Sequence, residues 1–153
     1  DADGAIRDLA AIVPDIDGET VSPEGLALLA AIDPKTLPKV SGDVLLAPPI
    51  DRPSKIVCIG LNYSDHAAEA GMAEPDHPIL FLKANSAISG PNDDVVLPRG
   101  SKAADWEVEL GVVIGSTAKY VTEAEALAHV AGYCVINDVS EREFQIERQG
   151  QWS

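Results

Sequence analysis

Apolar and polar positions alternate most cleanly in DWEVELGVVIG, residues 105–115. Trp106, Val108, Leu110, Val112 and Ile114 take one face there, and Glu107 and Glu109 the other. A period of two predicts a β-strand. Two carboxylates side by side on one strand face repel unless a positive group stands between them. KIVCIGLNY (residues 55–63) and YCVINDVS (residues 133–140) are short, continuously apolar runs that predict buried strands, the second ending at Asp138. PILFLKANSAISGP (78–91) predicts a strand, a kink and a turn, and DDVVLP (93–98) one more short strand.

Helical signals are fewer. Ser22 and Pro23 open PEGLALLAAI as N-cap and first helical residue. SDHAAEAGM (64–72) reads as a short helical turn ending near Gly71. In TEAEALAHVAG, Thr122 and Glu125 form a capping box and Gly132 supplies the stop. Ser140 and Glu143 form a second box that predicts a helix over EREFQIERQ. At the start, Asp3-Gly4 reads as a turn leading into a strand. The prolines from Pro48 to Pro53 suggest a linker. The expected organisation is a small N-terminal part with its linker over 1–52 and a main domain over 53–153. The expected class is α+β, mainly β, with short helices.

Composition narrows the function. The 153 residues carry 25 Asp+Glu against 11 Lys+Arg, a net charge of −14, which argues against nucleic acid or an anionic membrane as partner. No apolar run is long enough to cross a bilayer and no secretory h-region is present, so a cytoplasmic protein is expected. Cys58 and Cys134 each lie inside an apolar run, where buried structural thiols are expected before a disulfide or a nucleophile.

The candidate chemistry is an all-oxygen set. Glu107, Glu109 and the strand-end Asp138 are donors that suit a hard divalent cation, Mg²⁺ or Mn²⁺, whereas a zinc site would want His or Cys. From the strand alone, a solvated edge face is the plainer reading of the two glutamates. His66 and Glu69 stand three apart and share a face of a helical turn, where a carboxylate orients an imidazole that activates water. A surface pair is the plainer reading. Arg142 and Gln145 show the same spacing just after Asp138, and a solvated helix face explains them as well.

IGLNYSDHAAEAG, ILFLKANSAISGP, DWEVELGVVIG and INDVSEREFQ, in that order, resemble the fumarylacetoacetate hydrolase superfamily, in its bacterial branch of 2,4-dioxo-acid hydrolases that also contains ureidoglycolate lyase-like proteins. The resemblance covers roughly residues 50–153, and the preceding segment also looks like that branch's N-terminal part. It implies the N-terminal portion of a mixed β-sandwich roll. It also implies Glu107, Glu109 and Asp138 as metal ligands, and His66 and Glu69 as the water-activating dyad. Arg142 and Gln145 match substrate contacts, and Lys83 matches a lysine near the metal. His77 and His129 match no catalytic position.

The activity implied is metal-dependent hydrolysis of a C–C bond in an acylpyruvate or a diketo-deoxy sugar acid. The metal would chelate the acid and hold the leaving pyruvate enolate, and His66, backed by Glu69, would deprotonate the attacking water. A lyase or decarboxylase on the same site, acting on ureidoglycolate or oxaloacetate, is the alternative. A non-catalytic metal-binding module is a third. The branch position is marked by Ile59, where the eukaryotic founding enzyme has another metal-binding Asp. The family's catalytic lysine would lie beyond Ser153, so a fragment truncated at both ends is expected. A homodimer is expected too, from the family and from long apolar runs in a short chain.

Overall fold

A computed structural model describes residues 3–148 and 150. Among them the strands form three two-stranded antiparallel ribbons. The residues divide into two units, Asp1–Asp51 with Gly90–Ser153, and Arg52–Ser89.

In the unit Arg52–Ser89, β1 (Ile56–Gly60) pairs with β2 (Ile79–Lys83), Cys58 standing opposite Phe81. These are the apolar runs of the sequence, and their alternation leaves one face half-buried. Between them lies α2 (Ser64–Glu69), with Ala67, 1% exposed, as its anchor. The helix stops where Gly71 takes φ +66°, a conformation that costs glycine little.

In the other unit, α1 (Pro23–Ala30) starts as expected: Ser22 Oγ accepts from the Gly25 amide at 3.1 Å and Pro23 takes the first position. β3 (Ala104–Asp105) pairs with β6 (Ser140–Glu141), and β4 (Val108–Ile114) with β5 (Val130–Asn137). Between β4 and β5 stands α3 (Glu123–Ala126), whose capping box is formed, with Glu125 Oε2 accepting from the Thr122 amide at 3.0 Å and its hydroxyl at 2.7 Å.

Four local expectations change. Gly132 does not stop the helix; α3 tightens into a 3₁₀ turn, Leu127–His129, and Gly132 already belongs to β5. Ser140 does not cap a helix either. It is 4% exposed in β6, and its hydroxyl donates to the Asp138 carbonyl at 3.1 Å. Pairing with Asp105 holds Ser140 extended, and the turn that follows, Glu143–Glu147, is a single π-helical turn whose first amide is met by Glu141 Oε1 at 3.2 Å. No strand forms over 93–98 or after Asp3-Gly4, where an isolated bridge between Arg7 and Lys39 is the sole strand-like contact. In both stretches the backbone finds no neighbouring ladder. Cys58 and Cys134 are half-buried rather than buried, and neither is in a disulfide.

The alternation along β4 is as read, and its apolar face is the exposed one. Leu110 is 61% exposed and its cross-strand partner Val135 80%. The face carrying Glu109, Gly111 and Val113 is the covered one. On this side Val21, Pro49 and Ile50 of the N-terminal segment line one shallow cavity with Val113, Ala131 and Cys134. Gly115 seats that contact: a Cβ there would stand 2.5 Å from the Val21 carbonyl oxygen and 2.8 Å from Ala131 Cβ. A Gly115→Ala substitution should therefore destabilise the unit by about 1–3 kcal/mol, the usual cost of overpacking, read as a lowered thermal midpoint.

Candidate active site

The ribbon β3–β6 and the ladder β4–β5 meet the same two chain segments, so they bring residues 105–109 alongside 137–142. Register does the placing. Glu109 stands opposite Ile136 and Val108 opposite Asn137. Past Val108 the ladder continues by two bonds: the Asp138 amide donates to the Glu107 carbonyl at 2.9 Å, and the Glu107 amide donates to the Asn137 side-chain oxygen at 3.1 Å. Glu107, Glu109 and Asp138 thus fall at one end of one sheet face by the period of two, and all three are half-buried.

A guanidinium lies on this end of the sheet. Arg142 Nη2 donates to Glu107 Oε1 at 2.6 Å, and Nε and Nη2 donate to Asp105 Oδ2 at 3.0 and 2.9 Å. Its Nη1 donates to Gln145 Oε1 at 2.7 Å. The backbone makes this possible, because the Arg142 amide is tied to the Ala103 carbonyl at 2.9 Å as the chain leaves β6. The positive group that paired strand carboxylates require is therefore supplied, at least for Glu107, by the chain itself.

The charges respond as expected. The hydrogen bond from Arg142, with the Trp106 amide behind it, holds the Asp105 carboxyl below its ordinary range. Partial burial alone would lower the Arg142 pKa, yet its bonds to Glu107 and Asp105 raise it. A lowered carboxylate pKa means that the stabilisation is complete above the unfolded value, about 3.9, and fades as pH falls through the folded one. The Asp105–Arg142 bridge accordingly persists at neutral pH and is lost only in acid.

Beside it, Glu141 is a buried carboxylate, 6% exposed, held by the Ser101 hydroxyl and the Glu143 amide. It ties the 101 loop to β6 and steadies the residue next to Arg142.

Chemically, the donor set suits a hard cation: oxygen ligands from three carboxylates, with a guanidinium in position as a cationic stand-in on one of them. Among the described residues, however, no three His, Cys, Asp or Glu side chains are gathered closely enough to hold a metal ion. Glu107 points its Oε1 at Arg142. The expected convergence in one coordination sphere is thus not the arrangement seen, because the guanidinium takes up Glu107.

In the unit Arg52–Ser89, His66 and Glu69 lie on α2 as the spacing predicted, both exposed, and no hydrogen bond joins them. The His66 amide is capped by Asp65 Oδ1 at 2.9 Å. Lys83 closes β2, half-buried, opposite Ile56. His129 has a structural contact, Ser116 Oγ lying 2.8 Å from Nδ1.

Two residues of the carboxylate end escaped the reading of the sequence. Asp105 was legible, since it is the next same-parity position before Glu107 and Glu109. Asn137 carried no signal, because a strand-end Asn looks like any polar terminus.

Comparison with known proteins places these residues in a family. The model described as fumarylacetoacetate (FAA) hydrolase C-terminal matches residues 55–153. A Burkholderia lata protein bearing only a provisional name, hydrolase, is 61% identical over 152 residues, covering 99% of this chain and 54% of that protein. The chain thus spans about half the length of the curated relatives it matches. Among solved structures, fumarylacetoacetate hydrolase from Exiguobacterium antarcticum is similar with a TM-score of 0.78 and 34% identity, over 95% of this chain and 52% of that one. The 5-carboxymethyl-2-hydroxymuconate delta-isomerase from Mycobacterium smegmatis is similar with a TM-score of 0.60 and 43% identity, over 70% of this chain and 42% of that one. The mixed architecture of short helices and small antiparallel ribbons is that of part of this fold. With the family model matching residues 55–153, the chain belongs to the fumarylacetoacetate hydrolase family.

Proposed function

We propose that the protein is a divalent-metal-dependent hydrolase that cleaves a C–C bond in a small 2,4-dioxo acid. The observation that carries the reading is the guanidinium of Arg142 lying on Glu107 beside Asp138: a carboxylate end of a sheet joined to a carboxylate-binding fork. Arg142 would bind the acid through charge-assisted bonds, and Gln145 fixes one arm of its fork. A Mg²⁺ or Mn²⁺ ion held by Glu107, Glu109 and Asp138 would supply Lewis acidity toward the 2-oxo acid. His66 would take a proton from water, and Glu69, three residues on along α2, would have to close on the imidazole to orient it. The water oxygen bonds to the distal carbonyl carbon, the adjacent C–C bond breaks, and the departing carbon keeps the electron pair until it takes up a proton. Lys83 remains a candidate substrate contact from the family motif.

The test is pyruvate release by the intact protein from an acylpyruvate, with Mg²⁺ and after chelation. Chelator-sensitive release is the expected result. Unchanged substrate with every acylpyruvate tried would overturn the hydrolase reading. The delta-isomerase neighbour favours one other outcome, double-bond migration in a 2-hydroxy dienoic acid without cleavage. A lyase or decarboxylase would instead release CO₂ from oxaloacetate, or cleave ureidoglycolate, and survive His66→Ala.

We also propose a homodimer. The exposed β4–β5 face, with Leu110, Val112, Tyr133 and Val135, is apolar surface of the kind that a neighbour covers. Sedimentation of the intact protein should give twice the monomer mass at micromolar concentration, and a monomer there would refute it. Among the described residues no helix is long and apolar enough to cross a membrane.

A further inference from the structure

Glu141 is a buried carboxylate, 6% exposed, that the proposed reaction does not use. The two donors that hold it are uncharged and lie on different segments. Ser101 Oγ donates to Oε2, and the Glu143 amide donates to Oε1 at 3.2 Å. Ser101 heads the strap that runs into β3, where Ala104 pairs with Glu141 itself and Asp105 with Ser140. The Glu143 amide is the first of the π-helical turn Glu143–Glu147, which contains Gln145. One carboxylate therefore ties down two segments that hold the Arg142 guanidinium. The strap delivers Asp105, which accepts from Nε and Nη2, and the turn delivers Gln145, which accepts from Nη1.

We infer that Glu141 is a positioning residue for the Arg142 fork. A guanidinium reads a carboxylate with two parallel bonds only when its plane is fixed. Asp105 and Gln145 fix that plane from two segments, and their separation holds only while the segments are joined. Glu141 joins them. Without it the strap keeps only its pairing in β3–β6 and the tie from the Arg142 amide to the Ala103 carbonyl, and the π turn starts on an unmet amide. The role needs acceptor and donor geometry, not charge. In Glu141→Gln the side-chain carbonyl can accept from Glu143 while the NH₂ donates to Ser101 Oγ, since a hydroxyl accepts as well as donates. The consequence for acid binding rests on the proposed function. The consequence for the guanidinium does not, and neither involves the cation.

The test follows the Arg142 Nε–H of the intact protein by nitrogen–proton correlation NMR, its signal identified by its loss in Arg142→Lys. Held on Asp105, this proton should exchange slowly with water in the wild type. Glu141→Met should speed the exchange about 10-fold or more, as a local opening does. Ser101→Ala, which frees only the strap, should speed it by a smaller factor. Glu141→Gln should keep the slow exchange. In the acylpyruvate assay Glu141→Met should raise KM about 10-fold, the scale of one lost charge-assisted bond, and lower kcat less.

A folded Glu141→Met protein with the wild-type Arg142 signal and exchange rate would overturn the inference. So would Glu141→Gln behaving like Glu141→Met, which would assign the effect to charge. If Glu141→Met does not fold, Ser101→Ala decides, and a wild-type exchange rate there overturns the role. Failure to turn over any acylpyruvate would remove only the acid-binding reading of Arg142, and the exchange rates would then decide the positioning role alone.

Discussion

Glu107→Gln should cost the protein about 100-fold or more in Mn²⁺ affinity, with kcat/KM on an acylpyruvate falling at least in step. The change is isosteric and removes one charged ligand, so the loss should be at least as large as the roughly 10- to 100-fold that supporting partners of metal ligands cost. Stability should hardly move. The pair that Glu107 makes with Arg142 is partly solvated, and such pairs are worth about 0–1 kcal/mol. Arg142 also keeps Asp105 when Glu107 is neutralised. A thermal midpoint within a few degrees of wild type, beside collapsed metal binding, is the expected combination. A stability loss without a binding loss would make Glu107 an ordinary ion-pair residue.

The second large effect belongs to the dyad. Glu69→Ala should lower kcat by about 10²- to 10⁴-fold, the range over which general-base assistance works, with Mn²⁺ affinity unchanged. The motif and the helical spacing support this expectation. Wild-type kcat in that variant would leave His66 and Glu69 as two exposed residues on one turn of α2. Because Glu107 and Glu69 are expected to move different quantities, affinity in one case and turnover in the other, the two variants probe separate parts of the mechanism.

What the sequence could show depended on how local the cause was. The period of two in β4 and the capping box of Thr122 and Glu125 were readable because neighbours in sequence decide them. Ser140 was misread because a distant partner, Asp105, overrides a local capping signal. Which face of β4 is covered was not legible for the same kind of reason. A purely apolar face says that cover is needed, but here the segment around Val21 and Pro49 lies on the opposite face. The candidate site was legible in its residue types: carboxylates at alternate positions, then a strand-end Asp followed by Arg and Gln. Its connections were not. Nothing in the spacing says that Arg142 reaches back 37 residues to Asp105 and 35 to Glu107. That contact exists because β3–β6 continues the register of β4–β5 along the same two segments.

On the proposed function, Glu107, Glu109 and Asp138 would bind one divalent cation, and Arg142 would then turn its fork to an acid. The most direct test is a crystal structure of the intact protein grown with Mg²⁺ and a small 2-oxo acid. The expected result is one ion with oxygens of all three carboxylates at about 2.0–2.1 Å, and Arg142 off Glu107, still on Asp105, with two bonds to the acid. An ion bound elsewhere, or three carboxylates directed to separate regions of solvent with Arg142 still closed on Glu107, would contradict it.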